Sequence, residues 1–256
     1  MAPTLDVCPT LCISTVERTY TEGRDRPIHL ISGAECARPA WWVRGRRALD
    51  LGAGTGQATG PLLEEGMDVV AVEPGTELAT ILTATCPAAD VVISRAEDVE
   101  FPQSSFDLVV AATSIHWMDL DVVVPKIHRA LKTEGRLLVW RNVFGDPAVA
   151  MTPFRAEVER IVCQRSIPRA DHSEDAATTA DKLTRTGLFS LDDVCAYRWT
   201  IRLDANQIHR LFSTFSDWTP RDVEDATVAV RALGGEVVEH YTSWLIVASP
   251  RHDSGR

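Results

Sequence analysis

Nothing in this chain approaches the roughly 18 consecutive apolar residues that a bilayer-spanning helix requires, so no membrane association is expected. The first twenty residues, MAPTLDVCPTLCISTVERTY, hold neither a basic leader nor a long apolar segment, and no secretory signal is expected. Basic charge is in short supply: 26 Lys and Arg stand against 36 Asp and Glu, a net charge of −10. That balance argues against a nucleic-acid or anionic-membrane partner, since either calls for a basic face. The six cysteines, at positions 8, 12, 36, 86, 163 and 195, form no C-x-x-C pair. Scattered thiols suit a reducing cytoplasm better than a disulfide frame, and no metal site is expected. Internal repeats and low-complexity blocks are absent too. What remains is 256 residues, 45% of them hydrophobic, enough for one sizeable core.

Residues 1–45 show no sustained helical period and are punctuated by prolines at 3, 9, 27 and 39. They read as an N-terminal arm or lid, with Tyr20 and Arg24 as candidates for the substrate pocket. From residue 46 short apolar runs alternate with helical patterns, which predicts strands at 46–51, 68–73, 91–93, 106–111 and 137–140 with helices at 56–65, 76–85 and 120–131. Alternation of this kind builds a parallel sheet covered on both faces. Beyond 145 the pattern predicts helices at 152–166, 205–215 and 220–233, and late strands at 194–203 and 244–248. The expectation is therefore α/β: a Rossmann-like, doubly wound, mostly parallel seven-stranded sheet with a late antiparallel strand. Residues 46–256 would form one domain, with a helical substrate-side insertion at about 145–235.

The chain is organised around Ala48-Leu49-Asp50-Leu51-Gly52-Ala53-Gly54-Thr55-Gly56. A buried strand runs into three glycines and then a helix-compatible stretch, which lets backbone N–H groups approach a nucleoside ligand that a Cβ would exclude. The dinucleotide fingerprint G-x-G-x-x-G would need its third glycine at 57, which is Gln57. A longer variant from Gly54 to Gly60 starts two residues late. A ligand-free glycine turn is the plain alternative. Downstream, Glu73 ends the second strand 21 residues after Gly52, where a carboxylate can accept both ribose hydroxyl protons. Glu97 follows the third strand, where it can accept from an adenine amino group. Taken alone, Glu97 reads equally well as a solvated loop acid, while an exposed Glu before a turn is the lesser alternative for Glu73.

Together LDLGAGTG, VVAVEPG, SRAEDVEFPQSSFDLVVAATSIHW and RALKTEGRLLVW resemble the class I S-adenosylmethionine (SAM) dependent methyltransferases of the type 11 group, near the trans-aconitate methyltransferase-like branch. The resemblance covers residues 46–142 well and the remainder through its order of elements. It implies that Asp50, Gly52 and Gly54 contact the methionine part of SAM, that Glu73 binds the ribose and that Ala96 and Glu97 bind the adenine, with Ala53 and Pro74 among the cofactor-binding residues. Two departures stand out. Thr133-Glu134-Gly135 replaces the usual Pro-Gly-Gly, and the N-terminal arm motif is interrupted by Asp25 and Arg26.

The implied reaction is methyl transfer to a small-molecule acceptor at O, N or C by in-line displacement. The protein's part is to align the acceptor, exclude water and, for a weakly acidic nucleophile, remove a proton. His116, after the fourth strand, is the candidate base because its pKa lies near neutrality. Packing beneath a lid is its plainer role. Trp117 and Trp140 are candidates for the pocket wall. Two other functions fit the same residues: SAM binding without methyl transfer, and a nicotinamide-dependent reductase.

Overall fold

The computed structural model describes residues 44–165, 175–213 and 218–252. Seven strands form one sheet: β1 (Arg47–Leu51), β2 (Asp68–Val72), β3 (Asp90–Val92), β4 (Phe106–Ala112), β5 (Leu131–Phe144), β6 (Phe189–Asp204) and β7 (Glu236–Pro250). Their spatial order is β3-β2-β1-β4-β5-β7-β6. The first five strands pair in parallel, and β7 runs antiparallel to both β5 and β6. This is the expected doubly wound sheet with its late antiparallel strand. The helices are α1 (Thr59–Glu64), α2 (Thr76–Thr85), α3 (Leu120–Ala130), α4 (Pro153–Cys163), α5 (Ala176–Thr184), α6 (Ala205–Phe212) and α7 (Pro220–Ala232). None of them is long and apolar enough to cross a membrane.

Strand alternation divides the core in two. Leu49, Leu51, Val109, Ala111, Leu137 and Val139 pack on one face with α3 and with Ala180 and Leu183 of α5. Ala48, Leu108, Val110, Leu138, Trp140, Leu245 and Val247 pack on the other with Leu62 of α1. Asp50 belongs by its register to this second face. Each fully buried Leu or Val stabilises the fold by about 1.5–3 kcal/mol relative to exposure, so both faces of the sheet are tied down.

A charged clamp fixes the amino-terminal edge of the sheet. Asp107 accepts from Arg46 Nη1 at 2.8 Å, from Lys132 Nζ at 2.7 Å and from the Arg47 N–H at 3.0 Å. Burial opposes its ionisation, but these donors outweigh that cost and hold the carboxyl below the usual range.

At the opposite edge β6 and β7 run on beyond β5. The last β5–β7 pair is Phe144 with Tyr241, whereas β6 and β7 stay paired out to Asp204 and Glu236. On this two-stranded extension Leu203, Ile201, Trp199 and Val237 meet Phe154 and Ile161 of α4, Ile208 and Phe212 of α6, and Val223 and Val230 of α7. The capping boxes Asp204–Gln207 and Thr219–Asp222 start α6 and α7.

Several bounds differ from the sequence pattern. The first helix begins at Thr59 rather than 56, because Gly56 sits at φ +99°, outside the helical region. Strand β5 starts at Leu131, since a register shift between Phe106 and Leu108 absorbs Thr133-Glu134-Gly135 inside the strand. Strand β6 starts at Phe189 because backbone pairing with β7 carries Ser190 and Asp193 and bulges at Asp192, polar residues that do not read as strand. The N-terminal arm, with Tyr20 and Arg24, lies outside the described residues, as does 166–174.

Candidate functional site

At the carboxyl ends of β1, β2 and β4 the chain closes a turn between Leu51 and Thr59. Gly52, Gly54 and Gly56 adopt φ of +68°, +60° and +99°, a region that disfavours any side chain. A Cβ at Gly52 would also stand 2.5 Å from the Ser114 Cβ, so that turn and the loop after β4 touch there. Ser114 Oγ closes the contact by donating to the Leu51 carbonyl at 2.6 Å. The N–H groups of Gly52 and Ala53 both donate to the Val72 carbonyl, at 2.8 and 3.0 Å.

Glu73, only 5% exposed, faces this turn. Its Oε2 accepts from the Gly54 N–H and its Oε1 from the Gly75 N–H, both at 2.8 Å. A carboxylate has about four acceptor positions, so each oxygen retains one for a ligand hydroxyl. Pro74 follows as an exposed residue.

Asp50 is fully buried. Its Oδ2 accepts from Thr59 Oγ1 at 2.7 Å, while its Oδ1 has no hydrogen-bond partner. Burial pushes its pKa up to about 7, the Thr59 bond works against the rise, and the nearby charge of Glu73 adds to it. A buried, half-satisfied carboxylate is costly to keep charged unless a cation meets it. Thr59 is the residue that the sequence reading missed. The available signal was a hydroxyl at the start of the helix after the glycines, nine residues past Asp50.

Ala96 is buried in a short 3₁₀ turn, Ala96–Asp98. Glu97 Oε1 accepts from the Asp119 N–H at 2.8 Å and pairs with Arg95 at 3.2 Å, which links the β3 loop to the start of α3. Burial opposes ionisation of Glu97, yet the Asp119 N–H and Arg95 together hold its carboxyl below the usual range. Oε2 takes no part in either contact.

After β4 a second 3₁₀ turn, Ile115–Trp117, carries His116 and Trp117 with ring centroids 4.9 Å apart. Trp117 is 59% exposed, while His116 is half-buried and lines a cavity of about 240 Å³ with Met118, Lys182 and Arg185. Trp140, at the end of β5, is 0% exposed and packs in the core face beside α1. Among the described residues no three His, Cys, Asp or Glu side chains gather as a metal site would require.

Comparison with known proteins bears on this geometry. Residues 49–139 match the methyltransferase domain family. The methyltransferase match thus runs from the first strand through the glycine turn to β5. An uncharacterized methyltransferase of Mycobacterium tuberculosis is 40% identical over 120 residues, covering 46% of this chain and 48% of that one. An uncharacterized methyltransferase-like protein of Schizosaccharomyces pombe is 28% identical over 170 residues, covering 66% and 63%. The chain spans about half the length of the curated mycobacterial relatives it matches. Among solved structures, the phosphoethanolamine N-methyltransferase 2 of Haemonchus contortus in complex with SAM superposes with a TM-score of 0.50 at 19% identity. That alignment covers 82% of this chain and 50% of the other, and it shows a shared fold.

Proposed function

We propose that this protein is a SAM-dependent methyltransferase acting on a small-molecule acceptor. The observation that carries the reading is the unsatisfied, fully buried Oδ1 of Asp50 beside the glycine turn, with Glu73 turned toward the same bend. A ligand that offers an ammonium group to one acid and vicinal hydroxyls to the other fits that donor set, and an amino-acid nucleoside has both. The family match over residues 49–139 supports the same ligand.

When bound, SAM would supply an electrophilic methyl to an aligned nucleophile in line, with the neutral thioether of S-adenosylhomocysteine as the leaving group. Asp50 would hold the ammonium, Glu73 the ribose hydroxyls, and Ala96 with Glu97 the adenine. Gly52, Ala53 and Gly54 would run beside the methionine part along the turn. Alignment of the acceptor can contribute up to about 7–11 kcal/mol, so no elaborate catalytic set is needed. His116 is placed to take a proton from a hydroxyl or amine acceptor. A carboxylate acceptor needs no base. Trp117 would contribute a wall of the acceptor site.

Thermal shift with SAM, S-adenosylhomocysteine and NADPH tests the cofactor, and stabilisation by NADPH alone would overturn it. Transfer of a labelled methyl from SAM into a broad metabolite extract tests the activity. Binding without transfer would reduce the reading to a SAM-binding protein.

A further inference from the structure

The carboxyl end of β5 carries hydrogen-bond donors that nothing in the described protein accepts from. Trp140 and Asn142 are two residues apart on β5 and therefore project from the same face, roughly 7 Å apart along the strand. The Trp140 side chain is fully buried and its Nε1–H has no acceptor. A buried indole N–H ordinarily finds a partner, and leaving one unmade costs about 1–3 kcal/mol.

Asn142 is oriented by a relay. Trp199 Nε1 donates to Ser243 Oγ at 2.8 Å, and Ser243 Oγ lies 2.6 Å from Asn142 Oδ1. An indole nitrogen only donates, so the serine oxygen is the acceptor in the first bond. The serine hydroxyl has one proton, and among the described residues it donates to the Asn142 side chain. The amide must therefore turn its carbonyl to Ser243, which leaves its NH₂ on the far side. No acceptor in the described protein meets that NH₂. Ser243 is 1% exposed and lies across from Asn142 in the β5–β7 register, so the relay is held by the sheet itself. Trp199 is fixed in turn by stacking on Tyr241 at 4.4 Å.

We propose that Asn142, with the Trp140 Nε1–H, forms a donor pair that binds an oxygen of the methyl acceptor, a carbonyl or carboxylate, and so determines acceptor specificity. The Trp140 donor is buried without an acceptor and the Asn142 NH₂ meets none in the described protein, so the two select a ligand atom that only accepts. An amine lacking any carbonyl would leave both unpaired. This assignment rests on the methyltransferase reading, because it supposes that the acceptor enters at the carboxyl end of the sheet.

The test uses the full chain labelled with ¹⁵N and saturated with S-adenosylhomocysteine, with the Asn142 amide and Trp140 indole resonances identified by Asn142→Asp and Trp140→Phe. The probes are sodium benzoate, acetophenone and benzylamine. Benzoate or acetophenone should move both resonances and benzylamine neither; whichever oxygen probe binds more tightly separates carboxylate from neutral carbonyl. Ser243→Ala, which frees the amide to rotate, should weaken that probe about tenfold while S-adenosylhomocysteine binds as before. Silence of both resonances toward both oxygen probes overturns the proposal. So does movement caused by S-adenosylhomocysteine alone, which would give the donor pair to the cofactor carboxylate. If the Gly52 and Gly54 amides ignore S-adenosylhomocysteine, the cofactor reading fails separately, and the same titration judges the donor pair in the free protein.

Discussion

Titrating Asp50 should tune cofactor affinity. Its pKa lies at about 7, raised first by complete burial. If its ionised form holds the ligand ammonium, protonation removes the partner. Binding needs the acid deprotonated and the ligand's ammonium protonated; that ammonium belongs to a free amino acid and titrates above the peptide α-amino range of about 7.7–8.0. Affinity for S-adenosylhomocysteine should therefore be highest near about pH 8. It should weaken roughly tenfold by pH 6 and by nearly another tenfold per unit below that. Calorimetric titration across this range reads the acid limb directly. Asp50→Asn should bind at least tenfold more weakly at pH 7.5 and lose the acid limb altogether. The same substitution should raise the melting temperature of the ligand-free protein above pH 7. The sign follows from linkage: a carboxyl whose folded pKa stands above its unfolded value of 3.8 contributes stability below about pH 4, and that contribution is lost as pH rises through 7. A pH-independent affinity, or an unimpaired Asp50→Asn, would refute the assignment of Asp50 to the ammonium.

Glu73→Gln replaces an acceptor oxygen with an NH₂ that faces the Gly54 or Gly75 N–H, so SAM affinity should fall about 5- to 150-fold in the same titration. Gly52→Ala combines a positive φ with a Cβ 2.5 Å from Ser114. A loss of about 1–3 kcal/mol in urea unfolding is expected, and an unchanged midpoint would contradict the close approach. Thr59→Val removes the side-chain hydrogen bond that Asp50 receives, and should destabilise the protein more at pH 8 than at pH 5.5. For a hydroxyl or amine acceptor, His116→Ala should lower kcat about 10²- to 10⁴-fold and abolish the acid limb of its pH profile; a change in KM alone would assign His116 to packing.

The sheet was legible because its strands follow their own chemistry: Val69-Val70-Ala71-Val72 and Leu108-Val109-Val110-Ala111 are apolar runs that only a two-sided core accommodates. The glycine turn and Glu73 were legible through spacing, since strand ends in such a sheet lie at one edge. Asp50 was visible as a residue but its state was not. A carboxyl's protonation depends on burial and on Thr59, which only the closed turn brings within 2.7 Å. The outer half was less legible for a different reason. Strand β6 alternates clearly from Tyr197 to Leu203 and was legible there, but its start at Phe189 is dictated by pairing with Pro250 of β7, far along the chain. The place of Trp140 at a strand end was legible, and its complete burial was not.

The overhang of β6 and β7 past Phe144 sets where the three outer helices stand. They ride on a ladder of backbone hydrogen bonds that continues after its inner neighbour has stopped, like a shelf on brackets. Removing two rungs of that ladder would retract the shelf by about 7 Å, at roughly 3.3 Å a residue. A chain of this design can therefore shift its outer helices by whole-residue steps without altering one atom of the glycine bend.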